Sequence, residues 1–148
     1  MRTWLLLTYK VPREPTASRV YVWRKLKRLG ALPLQDAVWV MPATAPTREQ
    51  MQWLAAEIEE LEGEVTLWEA RLTLDGQEDT VVRQFVAQAE AGYREILDAL
   101  RERDPDLLAL SRRYQQVLAQ DFFRCDLGKR ARDALVKAGA EPRGGGGR

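Results

Sequence analysis

Apolar and polar positions along this chain follow two different periods, and the change from one to the other marks out its elements. WLLLTYK, residues 4–10, is an apolar run of strand length, closed by VPREP with its two prolines. From Thr16 the spacing lengthens. Val22, Trp23, Leu26 and Leu29 fall on one helical face, Tyr21, Arg24, Lys25 and Arg28 fall on the other, and Gly30 supplies the stop. ALPLQ and AVWVMP, on either side of Asp36, are short and rich in Val and Trp, which predicts a tight hairpin. Thr47 and Gln50 stand in capping-box spacing ahead of a second helix whose apolar positions, Met51, Leu54, Ile58 and Leu61, recur until Gly63. The polar face of that helix is acidic, through Glu57, Glu59, Glu60 and Glu62. Residues 64–74 are again β-rich and end at the Asp75-Gly76 turn. The order strand, helix, strand, strand, helix, strand over residues 1–74 predicts a ferredoxin-like βαββαβ sandwich.

Beyond Asp75 only the helical period remains. Val82, Phe85, Ala89, Tyr93, Ile96 and Leu100 continue one apolar stripe, which predicts a long amphipathic helix ending before Asp104-Pro105. Asp104 is placed to cap the next helix with Pro105 at its first position, and Leu107, Leu110, Tyr114 and Val117 mark the inner face. After QDFF a last helix rests on Leu127, Ala131, Leu135 and Ala138. The chain therefore reads as α+β, with a helical extension over 77–139 and a disordered Gly-rich tail over 140–148. Trp4, Trp23 and Trp68 are spaced for the core, whereas Trp39 and Trp53 are open to an interface role.

Composition removes more chemistry than it adds. There is no histidine among the 148 residues, so Ser-His-Asp and Cys-His catalysis, imidazole metal ligands and the usual general base near neutral pH are excluded. The two serines, Ser18 and Ser111, lie in no nucleophile-elbow or phosphate-loop pattern. Cys125 is the single cysteine and is expected to be structural, which rules out an intrachain disulfide and multi-cysteine zinc sites. No metal site or cofactor is called for. The N-terminal segment lacks the long apolar region of a signal peptide, and no run approaches a membrane span, so a cytoplasmic protein with no membrane partner is expected. The net charge of +1 conceals segregation: residues 1–42 carry +6, residues 43–103 carry −8, and the remainder +3. Such a distribution suits nucleic-acid contact at one end, or pairing of unlike faces in a homodimer.

WLLL at the start, RVYVWRKLKRLGA, LQDAVWVMP, the acidic helix, GEVTLWEA and the later QDFF together resemble the N-terminal region of the chromate resistance protein ChrB family, over roughly residues 2–139. VWRKLKRLGA and DAVWVMP are the most specific parts. The resemblance implies a regulator of a chromate-responsive operon. It also implies an architecture similar to the CRISPR-associated small dimeric nucleases and to the middle domain of PaaX-type phenylacetate repressors. Family members continue into a second half, so ligand sensing that resides there does not transfer to these residues. The nuclease reading needs a carboxylate at the end of the first strand to hold a hard cation, and this chain has Thr8, Tyr9 and Lys10 there. The expectation is therefore a non-enzymatic regulatory domain that binds DNA or a regulatory partner, with a homodimeric interaction module as the alternative.

Two sets of side chains are candidates for that contact. Arg24, Lys25, Lys27 and Arg28 form a cationic cluster on the first helix; a core-packed helix must turn polar residues to water in any case, but few acids nearby compensate these. On duplex DNA they would mostly neutralise phosphates. Arg13 in the loop after the first strand and Arg19 near the start of the helix, where unpaired backbone N–H groups favour anions, are candidates for an oxyanion such as chromate, sulfate or phosphate.

Overall fold

A computed structural model describes residues 2–140. Its elements are β1 (Trp4–Lys10), α1 (Thr16–Leu29), β2 (Leu32–Gln35), β3 (Val38–Pro42), α2 (Ala45–Glu60), β4 (Glu64–Ala70), α3 (Gln77–Ala99), α4 (Leu107–Gln120) and α5 (Asp126–Lys137). The chain divides into two compact units, the first ending at Glu78 and the second beginning at Asp79. The expected disordered tail falls on residues 141–148, outside the described residues, while Ala140 is buried in the helical unit.

In the first unit the four strands form one antiparallel sheet in the order β2-β3-β1-β4, the arrangement of the ferredoxin-like βαββαβ fold. Register assigns each residue to a face. Leu5 pairs with Met41 and Glu69, and Leu7 with Trp39 and Leu67, so these six share one side. Leu5, Leu7, Trp39 and Met41 are buried there, and Arg48 of α2 reaches the same side to pair with Glu69 at 2.8 Å, which identifies it as the face that the helices cover. Trp68 pairs with Leu6 on the opposite face and is 53% exposed. Trp68 therefore leaves the core, contrary to the spacing argument, and Trp39 enters it. Trp4 is buried as expected, and its indole N–H donates to Glu78 at 3.3 Å.

Several boundaries move for local reasons. Residues 71–74 are not strand: the pairing of β4 with β1 ends at Ala70 against Trp4, the first residue of β1. The capping box of α2 lies three residues earlier than expected. Thr44 Oγ1 accepts from the Thr47 N–H at 3.2 Å, Thr47 Oγ1 accepts from the Thr44 N–H at 2.8 Å, and Pro46 is accommodated in the first turn, where its missing N–H costs nothing. Asp106, not Asp104, caps α4, accepting from Ala109 N–H at 3.1 Å. Both acids flank Pro105, and the one that follows the proline stands next to the first helical residue.

In the second unit α3 contributes Val81, Phe85, Ala89 and Tyr93 at four-residue steps and then Ile96 three further on, a stripe that selects Val81 over Val82. Ala89, Tyr93, Ile96, Tyr114, Val117, Ala131 and Leu135 form one buried cluster across α3, α4 and α5. Phe122 meets Phe85 edge-on at 5.6 Å, and Phe123 lies 6.1 Å from the same ring. Gly128 takes the place on α5 expected of a larger apolar residue, since a Cβ there would stand 2.9 Å from the Tyr93 ring. Ala138 is the C-cap of α5 rather than part of its stripe. No described helix is long and apolar enough to cross a membrane.

Candidate functional site

The segment Thr16–Leu29 contains five cations and no acid, and it forms a helix because its apolar residues recur at four-residue steps and Gly30 adopts the left-handed conformation that ends it. Gly30 N–H bonds Lys27 C=O at 3.1 Å and Ala31 N–H bonds Leu26 C=O at 3.1 Å, closing the last turn. Lys27 and Arg28 lie in that turn, where positive charge meets the negative end of the helix dipole.

Four-residue spacing sorts α1 into rows. Ser18, Val22 and Leu26 are the buried row, narrower than the sequence suggests. Trp23 is displaced from it by about 100° and is 51% exposed, which corrects its assignment to the core. Tyr21 and Lys25 form the row beside α2, where the Tyr21 hydroxyl donates to Glu57 and Lys25 Nζ stands 3.9 Å from the same carboxylate. That hydrogen bond is the main cause that pushes the Tyr21 phenol above its ordinary value. Val20, Arg24 and Arg28 form the next row, exposed along its length. The last row is Arg19, Trp23 and Lys27, with Lys27 Nζ 5.7 Å from the Trp23 ring centroid. A groove of about 560 Å³ on this surface is lined by Ala17, Val20, Tyr21, Arg24, Lys25 and Arg28.

The structure thus separates the four clustered cations. Lys25 is half-buried and tied to α2, whereas Arg24, Lys27 and Arg28 are exposed. The opposite signs of the two N-terminal charge segments meet within the chain, at Lys25 and Tyr21 against Glu57, and only part of the positive face is neutralised in this way.

Arg13 is exposed in the loop between β1 and α1, and Arg19 is exposed on its row; neither makes an ion pair among the described residues. The charge of Arg19 acts on Tyr9, whose phenol is raised first by burial, with the Trp39 side chain and Arg19 opposing. At the end of β1, Thr8 Oγ1 accepts from the Trp68 indole N–H at 3.4 Å, and Lys10 is exposed. Among the described residues no three His, Cys, Asp or Glu side chains gather in a way that could hold a metal ion.

One polar constellation escapes sequence reasoning. Asp121, 5% exposed, accepts from the Tyr93 hydroxyl at 2.9 Å and from the Cys125 N–H at 3.1 Å, and Cys125 Sγ lies 3.7 Å from the same carboxylate. Burial, and after it Asp121, pushes both the Tyr93 phenol and the Cys125 thiol upward. The basic residues near Cys125 in sequence therefore do not activate it. The only visible signal is an acid between apolar runs, at the head of DFF.

A ferredoxin-like α+β unit bearing a half-neutralised cationic helix, followed by a helical unit with a buried Tyr-Asp pair, is the class these observations define. The family model described as "Protein ChrB, N-terminal" matches residues 19–101, from the fourth residue of α1 to just past the end of α3. Protein ChrB of Cupriavidus metallidurans is 30% identical over 108 residues, 73% of this chain and 30% of that relative. The chain belongs to the ChrB N-terminal family, and it spans less than a third of the length of the relative it matches.

Proposed function

We propose that this chain is a non-enzymatic regulatory domain of a chromate-resistance system, and that it acts by binding duplex DNA through α1. The observation that carries the reading is the exposed set Arg24, Lys27 and Arg28 on a helix without a single acid, with the α2 carboxylate Glu57 meeting the helix at Tyr21 and Lys25. A surface of this kind gives affinity by displacing counterions from phosphates, with steep salt dependence. Family membership supports the regulatory role, and chromate enters through the resemblance of RVYVWRKLKRLGA and DAVWVMP to chromate-responsive regulators. Arg13 and Arg19 remain the residues proposed to meet an oxyanion, chromate or sulfate, next to the same helix.

Fluorescence anisotropy with duplex from upstream of the protein's own gene and a scrambled control, at two salt concentrations and with or without chromate, tests this reading. Tighter binding to the upstream duplex that chromate weakens supports a ligand-gated regulator. Absence of binding to either duplex at low salt overturns it. A second reading, a homodimeric interaction module without nucleic acid, is favoured by one specific feature: Val20, Tyr21, Trp23 and the 68% exposed Trp53 put apolar surface on the same helical layer as the segregated charge.

A further inference from the structure

Apolar surface has no part in a contact made only by phosphate neutralisation, yet α1 holds half of an indole in water between two cations. Trp23 stands in one row with Arg19 one turn before and Lys27 one turn after. The row runs about 12 Å along the axis at about 1.5 Å per residue. A DNA strand offers one phosphate about every 3.4 Å of duplex axis, so the row spans three to four nucleotides of one strand. The neighbouring row, Val20, Arg24 and Arg28, is exposed as well, whereas the far row is tied to Glu57 through Tyr21 and Lys25. Glu57, with Glu59 and Glu60 beyond it on α2, repels a polyanion from that flank. A duplex approaching away from the acidic flank meets these two exposed rows, and Trp23 lies inside that footprint.

We infer that Trp23 is the salt-independent anchor of the duplex contact, its indole packing on deoxyribose and base-edge surface while Arg19 and Lys27 hold the phosphates on either side. The inference rests on the reading of α1 as the DNA surface and adds which part of α1 is used and by what chemistry. The ring supplies what phosphate neutralisation lacks, a flat apolar surface with a quadrupole that Lys27 already meets at 5.7 Å. Cation contacts release counterions and weaken with salt; contact of the indole with sugar and base edge releases none. The two contributions are separable in a titration.

Duplex from upstream of the gene is titrated at four salt concentrations with the full chain and with Trp23→Ala, Trp23→Phe, Arg24→Ala/Arg28→Ala and Trp53→Ala. Trp53, 68% exposed on the acidic helix, lies outside the footprint and serves as the control. The expected result for Trp23→Ala is a loss of about tenfold in affinity, the scale at which truncation of a buried interface tryptophan is felt, at every salt concentration with an unchanged salt slope. Trp23→Phe recovers most of the loss, Arg24→Ala/Arg28→Ala flattens the slope by about two units, at about 0.9 per phosphate contact, and Trp53→Ala binds as the unaltered chain does. Wild-type affinity in Trp23→Ala, or an equal loss in Trp53→Ala, overturns the anchor while leaving DNA binding intact. So does a shift of Trp23→Ala from dimer to monomer in mass measurements with DNA affinity preserved, which places the indole in a protein interface. No binding by the unaltered chain defeats the underlying reading itself. Circular dichroism melting of Trp23→Ala close to that of the unaltered chain excludes misfolding as the cause.

Discussion

Asp121 in the second unit and the cations of α1 in the first stand in opposite environments. In the second, Asp121 is withdrawn from water and its carboxylate is satisfied by the Tyr93 hydroxyl and the Cys125 N–H, so its hydrogen-bonding capacity is committed to joining α3 to the start of α5. In the first, Arg24, Lys27 and Arg28 are exposed on α1, where surface charge contributes little to folding. A buried polar group is costly when its partner is removed, whereas an exposed charge is nearly neutral to stability. The contrast gives structural work to Asp121 and leaves the exposed cations of α1 as the residues proposed for recognition, and it can be broken by substitution.

The largest expected effect is on the structural side. Tyr93→Ala removes a fully buried ring that packs against Gly128 and Tyr114 and is expected to cost about 3–5 kcal/mol, read as a lowered urea midpoint. Asp121→Ala comes next, at about 1–3 kcal/mol, because the Tyr93 hydroxyl and Cys125 N–H lose their acceptor. Asp121→Asn, which keeps an acceptor, is expected to recover part of that loss, and equal destabilisation by both would show that the hydrogen bonds are not what matters.

Alkaline pH sharpens the same side. The folded-state pKa of Tyr93 is raised, first by burial and then by the hydrogen bond to Asp121, so the neutral phenol is favoured in the native state. The resulting stability is fully present below the unfolded phenol value of about 10 and is lost as pH rises above it. Urea midpoints measured from pH 8 to 11 are expected to hold and then fall. In Tyr93→Phe the fall is shallower but persists, since the Tyr114 phenol is also raised by burial. A midpoint that does not change across this range would contradict the account of a buried, neutral Tyr93.

On the recognition side the expected change in stability is the smallest. Arg24→Ala/Arg28→Ala should alter the unfolding free energy, read from urea titration, by no more than about 0.5 kcal/mol, since both side chains are exposed. A drop of several times that would show that these arginines support the fold and are not reserved for a partner.

What could be read from sequence, and what could not, follows the range of the interactions involved. Every strand and helix of the sandwich is visible as a change of period, because Leu5 and Leu7 or Met51, Leu54 and Ile58 report their own local geometry. Trp23 and Trp68 are different cases. Val22 and Leu26 are equally compatible with a buried stripe that widens toward Trp23 or toward Ser18, and only the docked helix selects Ser18. Trp68 lies on a strand whose two faces both carry apolar residues, Leu67 and Val65 against Trp68 and Ala70, so its side of the sheet is fixed by the register with Leu6 and not by alternation. The cationic cluster is legible as exposed, but the tether of Lys25 and Tyr21 to Glu57 joins residues more than thirty positions apart, across α1 and α2. Asp121 gives only one local sign of burial, its place at the head of DFF, because its surroundings are supplied by Tyr93, 28 residues away.

The central claim is that α1 is the surface through which this domain meets DNA. Its most direct test is the salt dependence of anisotropy for upstream duplex with the unaltered chain and with Arg24→Ala/Lys27→Ala/Arg28→Ala. The account predicts measurable binding by the unaltered chain, a steep fall in affinity with salt, and a triple variant that keeps its fold while losing both affinity and most of the salt slope. Binding by the triple variant with unchanged affinity and slope would contradict it and place the DNA contact away from α1.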